Sequence, residues 1–232
     1  MLLPNMSLTE VYEEVSKDFE GISQEIYNKG KSFIRFVKKT TRRFPIVQEY
    51  NFTTRERNNK GFITFHAAHR GSLEQSMYYS LRLIWDNAAG RNTISINERA
   101  TNFDRRQYGL ICIETAHLYG RYRERFLKDQ EVSNDHVIRS FHLNNPRSYG
   151  TDISEDLMPG SPELEDLSKR KLAYVYTEGV AFGVVAEENV VLLKTFVSFD
   201  MLFPKQIEIF APMRESLLRN LALPPQDSIS HL

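Results

Sequence analysis

The chain has 232 residues, 41% of them hydrophobic, and its 30 Lys and Arg residues are balanced by 30 Asp and Glu residues. A chain of this length and apolar content can bury a substantial core, which excludes a wholly disordered protein. Because the formal net charge is +0, any affinity for nucleic acid must come from local clusters of cations. The single cysteine, Cys112, excludes a disulfide framework and is expected to be buried in an apolar run.

The first residues lack the basic stretch and the apolar run of a signal peptide. No apolar segment reaches the length of about 18 residues that a membrane-spanning helix needs. We therefore expect a cytoplasmic protein without a membrane partner.

The N-terminal part, residues 1–45, is predicted to be a helical segment. Ser7 to Glu10 fit a capping box, and apolar residues follow at spacings of three and four, which predicts an amphipathic helix to about Asn28. Gly30 is expected to loosen this helix before a second helix begins.

Residues 28–60 form a strongly basic segment, in which ten Lys or Arg residues stand against Glu49 and Glu56. Aromatic residues are interleaved with the cations. Cations neutralise phosphates and aromatic rings stack on bases, so the pattern suits an anionic polymer such as RNA. A solvated helix face with core aromatics would give the same pattern. The candidate nucleic-acid-binding residues are Lys31, Arg35, Lys38, Lys39, Arg42 and Arg43.

Residues 46–200 are predicted to form an α+β core domain, in which a predominantly antiparallel sheet packs against helices. Apolar runs bounded by Gly and Asn signals predict the early strands, and turn signals within 171–198 predict a three-stranded meander. The early strand-like runs are 61–67, 76–86 and 92–97.

The remaining segments are predicted to be peripheral. A polar, acidic insertion lies at about 147–170, where Ser161 and Pro162 fit the start of a short helix. Residues 201–232 are predicted to form a C-terminal amphipathic helix, kinked or split by Pro212, and a frayed tail. We expect all three regions to form one globular unit.

The stretch from Glu114 to Phe126 holds most of the candidate chemistry. If it is helical, His117, Arg121 and Arg125 lie at i, i+4 and i+8 and share one face. An imidazole can transfer a proton near neutral pH, and guanidinium groups hold phosphate oxygens. Ordinary solvent-exposed helix residues show the same spacing, so a structural role stays open.

The order of elements around this stretch resembles the barnase/EndoU/RelE-like ribonucleases of bacterial toxins and mobile elements. A helix reading H-x-x-x-R-x-x-E-R is followed by a short capped helix and an antiparallel meander, over about residues 110–200. The acidic insertion departs from the compact pattern of those families.

The resemblance implies a toxin-like endoribonuclease that needs neither a metal nor another cofactor. In that case His117 is the general acid or base, and Arg121 and Arg125 bind the scissile phosphate. Lys194 and Thr195, on the last strand, contact the same phosphate or the ribose.

The alternative is a non-catalytic accessory protein of a phage or mobile element, which binds nucleic acid or a protein partner such as an inhibitor. The basic segment and the amphipathic end helices would supply its surfaces. Other enzyme classes are disfavoured: His66 and His69 point to opposite faces of a predicted strand, and the phosphate-loop, dinucleotide and G-x-S-x-G motifs do not occur.

Overall fold

The computed structural model describes residues 1–70, 77–96, 110–160 and 169–222. Its helices are α1 (Leu8–Lys17), α2 (Phe19–Lys39), α3 (Ala116–Tyr122), α4 (Asn134–Asn144) and α5 (Pro204–Ala222). Its strands are β1 (Ile46–Thr53), β2 (Lys60–Ala67), β3 (Met77–Asn87), β4 (Gly90–Ile96), β5 (Ile111–Glu114), β6 (Tyr149–Asp152), β7 (Lys171–Val175), β8 (Gly179–Glu187) and β9 (Val190–Ser198). The predicted α+β class is confirmed.

The described strands form one sheet in the order β1-β2-β3-β4-β5-β9-β8-β7-β6. All neighbouring pairs are antiparallel except β5 and β9, which run parallel. The sheet therefore consists of two meanders that meet at one parallel ladder. A parallel pair requires a long connection, and the chain between β5 and β9 includes α3, α4 and three further strands.

Helices cover both faces of this sheet. On one face, which we call the α2 face, α1 and α2 pack on β1 to β5, and Phe210 of α5 packs on Phe182 of β8. On the other, the α4 face, α3 and α4 pack through Phe141 and its neighbours. Strand β5 shows the division, because Ile113 belongs to the core of the α2 face and Cys112 to the core of the α4 face.

The N-terminal helices agree with the predicted capping box at Ser7 but not with the predicted break. The interruption falls at Asp18, and Gly30 lies inside α2. The Asp18 carboxylate accepts hydrogen bonds from Thr54 Oγ1 and Asn59 Nδ2, at 2.5 and 2.6 Å. These long-range bonds anchor the chain where α1 ends, and local sequence does not reveal them.

Two edge strands were not predicted. Strand β1 lies within the basic segment, and β6 lies within the segment that was predicted to be an insertion at about 147–170. Strand β1 lacks a clean alternation of buried and exposed residues, and β6 alternates over only four residues, none of them fully buried, so both give a weak periodic signal. The helix predicted at Ser161 lies outside the described residues.

Helix α5 runs through Pro212 without being split. The predicted split is wrong because Phe210 and Leu217, on either side of the proline, are both fully buried and hold the two halves on the protein. Ile207 and Leu218 of the same helix are exposed. The predicted frayed tail lies outside the described residues, and none of the described helices has the length and apolar character needed to cross a membrane.

Replacing Phe141 by Ala is expected to lower the free energy of unfolding by about 3–5 kcal/mol, because the ring is fully buried and leaves a cavity. Its ring centroid lies 5.0 to 5.7 Å from those of four other aromatic rings, Tyr119, Tyr122, Tyr176 and Phe196. Urea denaturation measures the loss. Phe126→Ala is the control, since that ring is 37% exposed, and equal losses for the two variants would contradict this description of the core.

Candidate functional site

The helix that carries the predicted catalytic face is shorter than expected. Thr115 caps α3 by accepting a hydrogen bond from the Leu118 N–H, but regular α-helix ends at Tyr122. Residues Arg123–Leu127 form a π-helical turn that ends at Lys128, which has a positive φ of 54°. Because a π turn is wider than an α turn, residues beyond Tyr122 do not keep the spacing that places i+4 neighbours on one face.

The structure brings His117 and Arg121 together on the exposed side of α3. The Arg121 Nε lies 3.2 Å from His117 Nε2 and donates to it, and Arg121 also pairs with Glu124 at 3.0 Å. An exposed ion pair of this kind contributes at most about 1 kcal/mol, so Arg121 can exchange Glu124 for another anion at low cost.

Arg125 is held away from this pair. Its guanidinium donates a 2.6 Å hydrogen bond to the backbone carbonyl of Phe196 on β9. The side chain thus ties the π turn to the sheet. The predicted convergence of Arg125 with His117 and Arg121 depended on an unbroken α-helix, which the structure does not contain.

The two predicted residues of β9 lie at an irregularity of the sheet. Phe182 pairs with Thr195, but Gly183 pairs with Leu193, so Lys194 is the extra residue of a β-bulge. Thr195 is 2% exposed and faces the same side as its partner Phe182, which packs under α5. Helix α3 packs on the opposite face, so the structure does not bring Thr195 to the imidazole of α3.

The predicted nucleic-acid-binding residues are all exposed. Four of them project from α2 on the side opposite its buried residues, and two follow in the segment before β1. None of the six forms an ion pair with any residue of the described ranges. We call this the basic surface; it consists of Lys31, Arg35, Lys38, Lys39, Arg42 and Arg43.

The interleaved aromatic residues serve mainly the core. Phe33 is fully buried and stacks on Phe65 at a centroid distance of 5.3 Å. Phe36 is half-buried, with the Arg42 guanidinium 5.6 Å from its ring centroid. Tyr27 is exposed, and the Lys31 ammonium lies 4.0 Å above its ring. The basic surface therefore suits phosphate contacts better than the stacking of successive bases.

A buried polar cluster on the α4 face was missed by the sequence analysis. Arg82 Nε lies 3.2 Å from Glu114 Oε1, and the two residues are 9% and 1% exposed. Thr93 Oγ1 donates to Glu114 Oε2 at 3.0 Å and lies 2.6 Å from the Tyr119 hydroxyl. That hydroxyl lies 2.8 Å from His142 Nε2. A hydrogen-bonded chain thus connects the ion pair to His142.

The charges of this cluster are set by burial and by the ion pair. Burial raises the pKa of Glu114, against the opposing effects of Arg82 and the Thr93 hydroxyl. Burial also disfavours the charged form of Arg82, but the surrounding groups, above all Glu114, more than offset this and raise its pKa. Burial and Arg82 hold the pKa of His142 well below its usual range, so this ring is neutral.

The charge states of these residues determine which atom donates in each hydrogen bond of the cluster. Thr93 donates to the carboxylate, so Tyr119 donates to Thr93 and His142 donates from Nε2 to Tyr119. His142 Nδ1 is then an acceptor, and it has no hydrogen-bond partner within the part of the chain that the structure describes. The sequence did contain a signal for this cluster, because Arg82 interrupts an apolar strand and Glu114 ends another.

No protein-family model, curated protein or solved structure matches this chain. Within the described ranges, no group of three or more His, Cys, Asp or Glu residues is placed to hold a metal ion. The interpretation of function therefore rests on the geometry of the basic surface, of α3 and of the buried cluster.

Glu114→Gln is expected to lower the free energy of unfolding by about 3–5 kcal/mol, because it leaves the buried Arg82 charge without its partner. Arg82→Met should have a loss of similar size, and the double variant should lose less than the sum of the two. Chemical denaturation of the three variants measures this coupling. Arg170→Met, which breaks an exposed pair with Asp152, is the control, and strict additivity would contradict the coupling.

Proposed function

We propose that this protein binds RNA, chiefly through phosphate groups, on the basic surface of α2 and the segment that follows it. The supporting observation is that six exposed cations lie together without a carboxylate partner among the described residues. On a chain of formal net charge +0, such a cluster produces a local positive field that attracts a polyanion.

A structural explanation accounts for only part of the cluster. Lys38 and Lys39 stand in the last turn of α2, where the negative end of the helix dipole stabilises each by about 0.3–1 kcal/mol. That effect falls off within one turn, so it does not explain Lys31 and Arg35. At a rise of about 1.5 Å per residue, the cations from Lys31 to Lys38 extend for about 10 Å along the helix, enough for more than one phosphate.

Lys38→Gln/Lys39→Gln is expected to weaken binding of single-stranded RNA and to flatten its salt dependence. Each lost phosphate contact lowers the slope of log K against log salt by about 0.7, so the double variant should lose about 1.4. Fluorescence anisotropy with a labelled, mixed-sequence RNA at several salt concentrations measures the slope.

The matched control is Lys128→Gln/Arg219→Gln, which removes two exposed cations far from α2 in sequence. It should bind RNA as the native chain does. Equal losses in the two double variants, or no salt-sensitive binding by the native chain, would refute the assignment to the basic surface. Binding of a protein partner instead of RNA would then be the hypothesis to test.

Metal-independent RNA cleavage on α3 is a second candidate, favoured by the contact of 3.2 Å between Arg121 Nε and His117 Nε2 on an exposed surface. An imidazole beside a guanidinium can transfer a proton while the guanidinium holds the phosphate. Binding is the stronger proposal for two reasons. Arg125 is bonded to Phe196 and Thr195 faces away from α3, and the basic surface and α3 lie on opposite faces of the sheet.

Cleavage is tested by incubating labelled RNA with the native chain in excess EDTA. If α3 is catalytic, the native protein and His136→Ala should cleave, whereas folded His117→Ala should not. His136 is the control because it is an exposed histidine on α4, away from Arg121. An intact RNA at protein concentrations that saturate binding would remove the catalytic candidate and leave the binding proposal in place.

A further inference from the structure

A cavity of about 450 Å³ lies beside the buried Arg82. It occurs where the β3–β4 ladder ends, at the pair Leu83 and Ile94. Beyond this pair, residues 79–82 of β3 and 95–96 of β4 line the cavity. Ser80 contributes from the α4 face of the sheet and Leu81 from the α2 face. The volume falls in the range of about 300–1,000 Å³ that is usual for small-molecule sites.

The cavity contains polar groups that the described residues do not satisfy. Ser80 is 8% exposed, and its Oγ has no hydrogen-bond partner among those residues. Arg82 Nε is close to Glu114, but the contact lacks hydrogen-bond alignment. A buried polar group without a partner is destabilising, and a ligand that bonds to it would recover part of the lost free energy.

Among the described residues of the lining, the charges sum to one net positive charge. The charges of Arg82 and Glu114 offset each other, and Arg147 adds a further cation from the segment between α4 and β6. Arg147 forms no ion pair with a described residue, and its guanidinium lies 4.1 Å from the centroid of the Tyr78 ring. Contact with one face of the ring leaves the guanidinium N–H groups for an anion.

Aromatic rings and hydroxyl groups form much of the remaining wall. Tyrosine rings favour offset or edge contacts with another aromatic ring, and serine hydroxyls donate or accept hydrogen bonds. These residues are Tyr149, Tyr174, Tyr176, Ser95 and Ser148.

We propose that this cavity binds a small aromatic monocarboxylate, with its carboxylate on Arg147 and its ring among the tyrosines. A guanidinium fork matches a carboxylate in two parallel hydrogen bonds. A phosphate monoester carries a charge of about −1.5 to −2 at pH 7, which exceeds the one net positive charge that the described residues of the lining provide. The lining therefore selects for a single negative charge. This site is separate from the basic surface, so it does not depend on RNA binding.

The test is thermal unfolding of the full chain with a panel of probes: benzoate, phenylacetate and indole-3-acetate. At about ten times its Kd, a ligand of this class should raise Tm by about 3 °C. The corresponding amides keep the shape without the charge and should give a much smaller rise. Adenosine 5′-monophosphate, as the aromatic phosphate, should also give less.

Arg147→Gln should abolish the rise in Tm, whereas Arg170→Gln, an exposed arginine outside the lining, should keep it. Ser80→Ala removes only the unpaired hydroxyl and should weaken binding about five- to tenfold, measured by calorimetry. It also tests the site if Arg147→Gln does not fold. The proposal is overturned if no carboxylate raises Tm, if the amides or the nucleotide act as strongly, or if the rise persists in folded Arg147→Gln.

Discussion

Four residues of β5 pair in parallel with four residues of β9, and this short ladder joins the two meanders into one sheet. Because successive residues of β5 face opposite sides, the ladder places Ile113 in the core under α2 and Glu114 in the cluster under α4. The chain turns directly from Glu114 into α3. The basic surface and His117 thereby lie on opposite faces of the sheet.

The Arg82–Glu114 pair is the least expected feature of the interior. A buried ion pair is often no more stabilising than apolar residues of the same volume, because desolvation offsets the attraction. Here the pair is supported by Thr93 and the chain to His142, yet it borders a cavity that also contains an unpaired serine hydroxyl. Polar groups left unsatisfied beside an open volume support a binding role for the cluster better than a stabilising one.

Local features of the sequence were sufficient for the fold class, the capping box at Ser7 and the meander of β7 to β9. The rest depends on contacts between distant residues. Arg125 was misplaced because a π turn follows α3, and Thr195 because the bulge at Lys194 shifts the alternation of β9. The basic surface was visible as a charge run, but its lack of acidic partners required the folded chain. Arg82 and Glu114 are distant in sequence, and they meet because the sheet places β3 and β5 on either side of β4.

Lysine acetylation of the full chain, followed by mass spectrometry with and without single-stranded RNA, tests most directly which face binds. The account predicts that RNA lowers the modification of Lys31, Lys38 and Lys39 on α2 and leaves Lys128, at the end of the π turn, unchanged. Protection of Lys128 with unaltered reactivity on α2 would place RNA on the face of α3 and contradict the assignment to the basic surface.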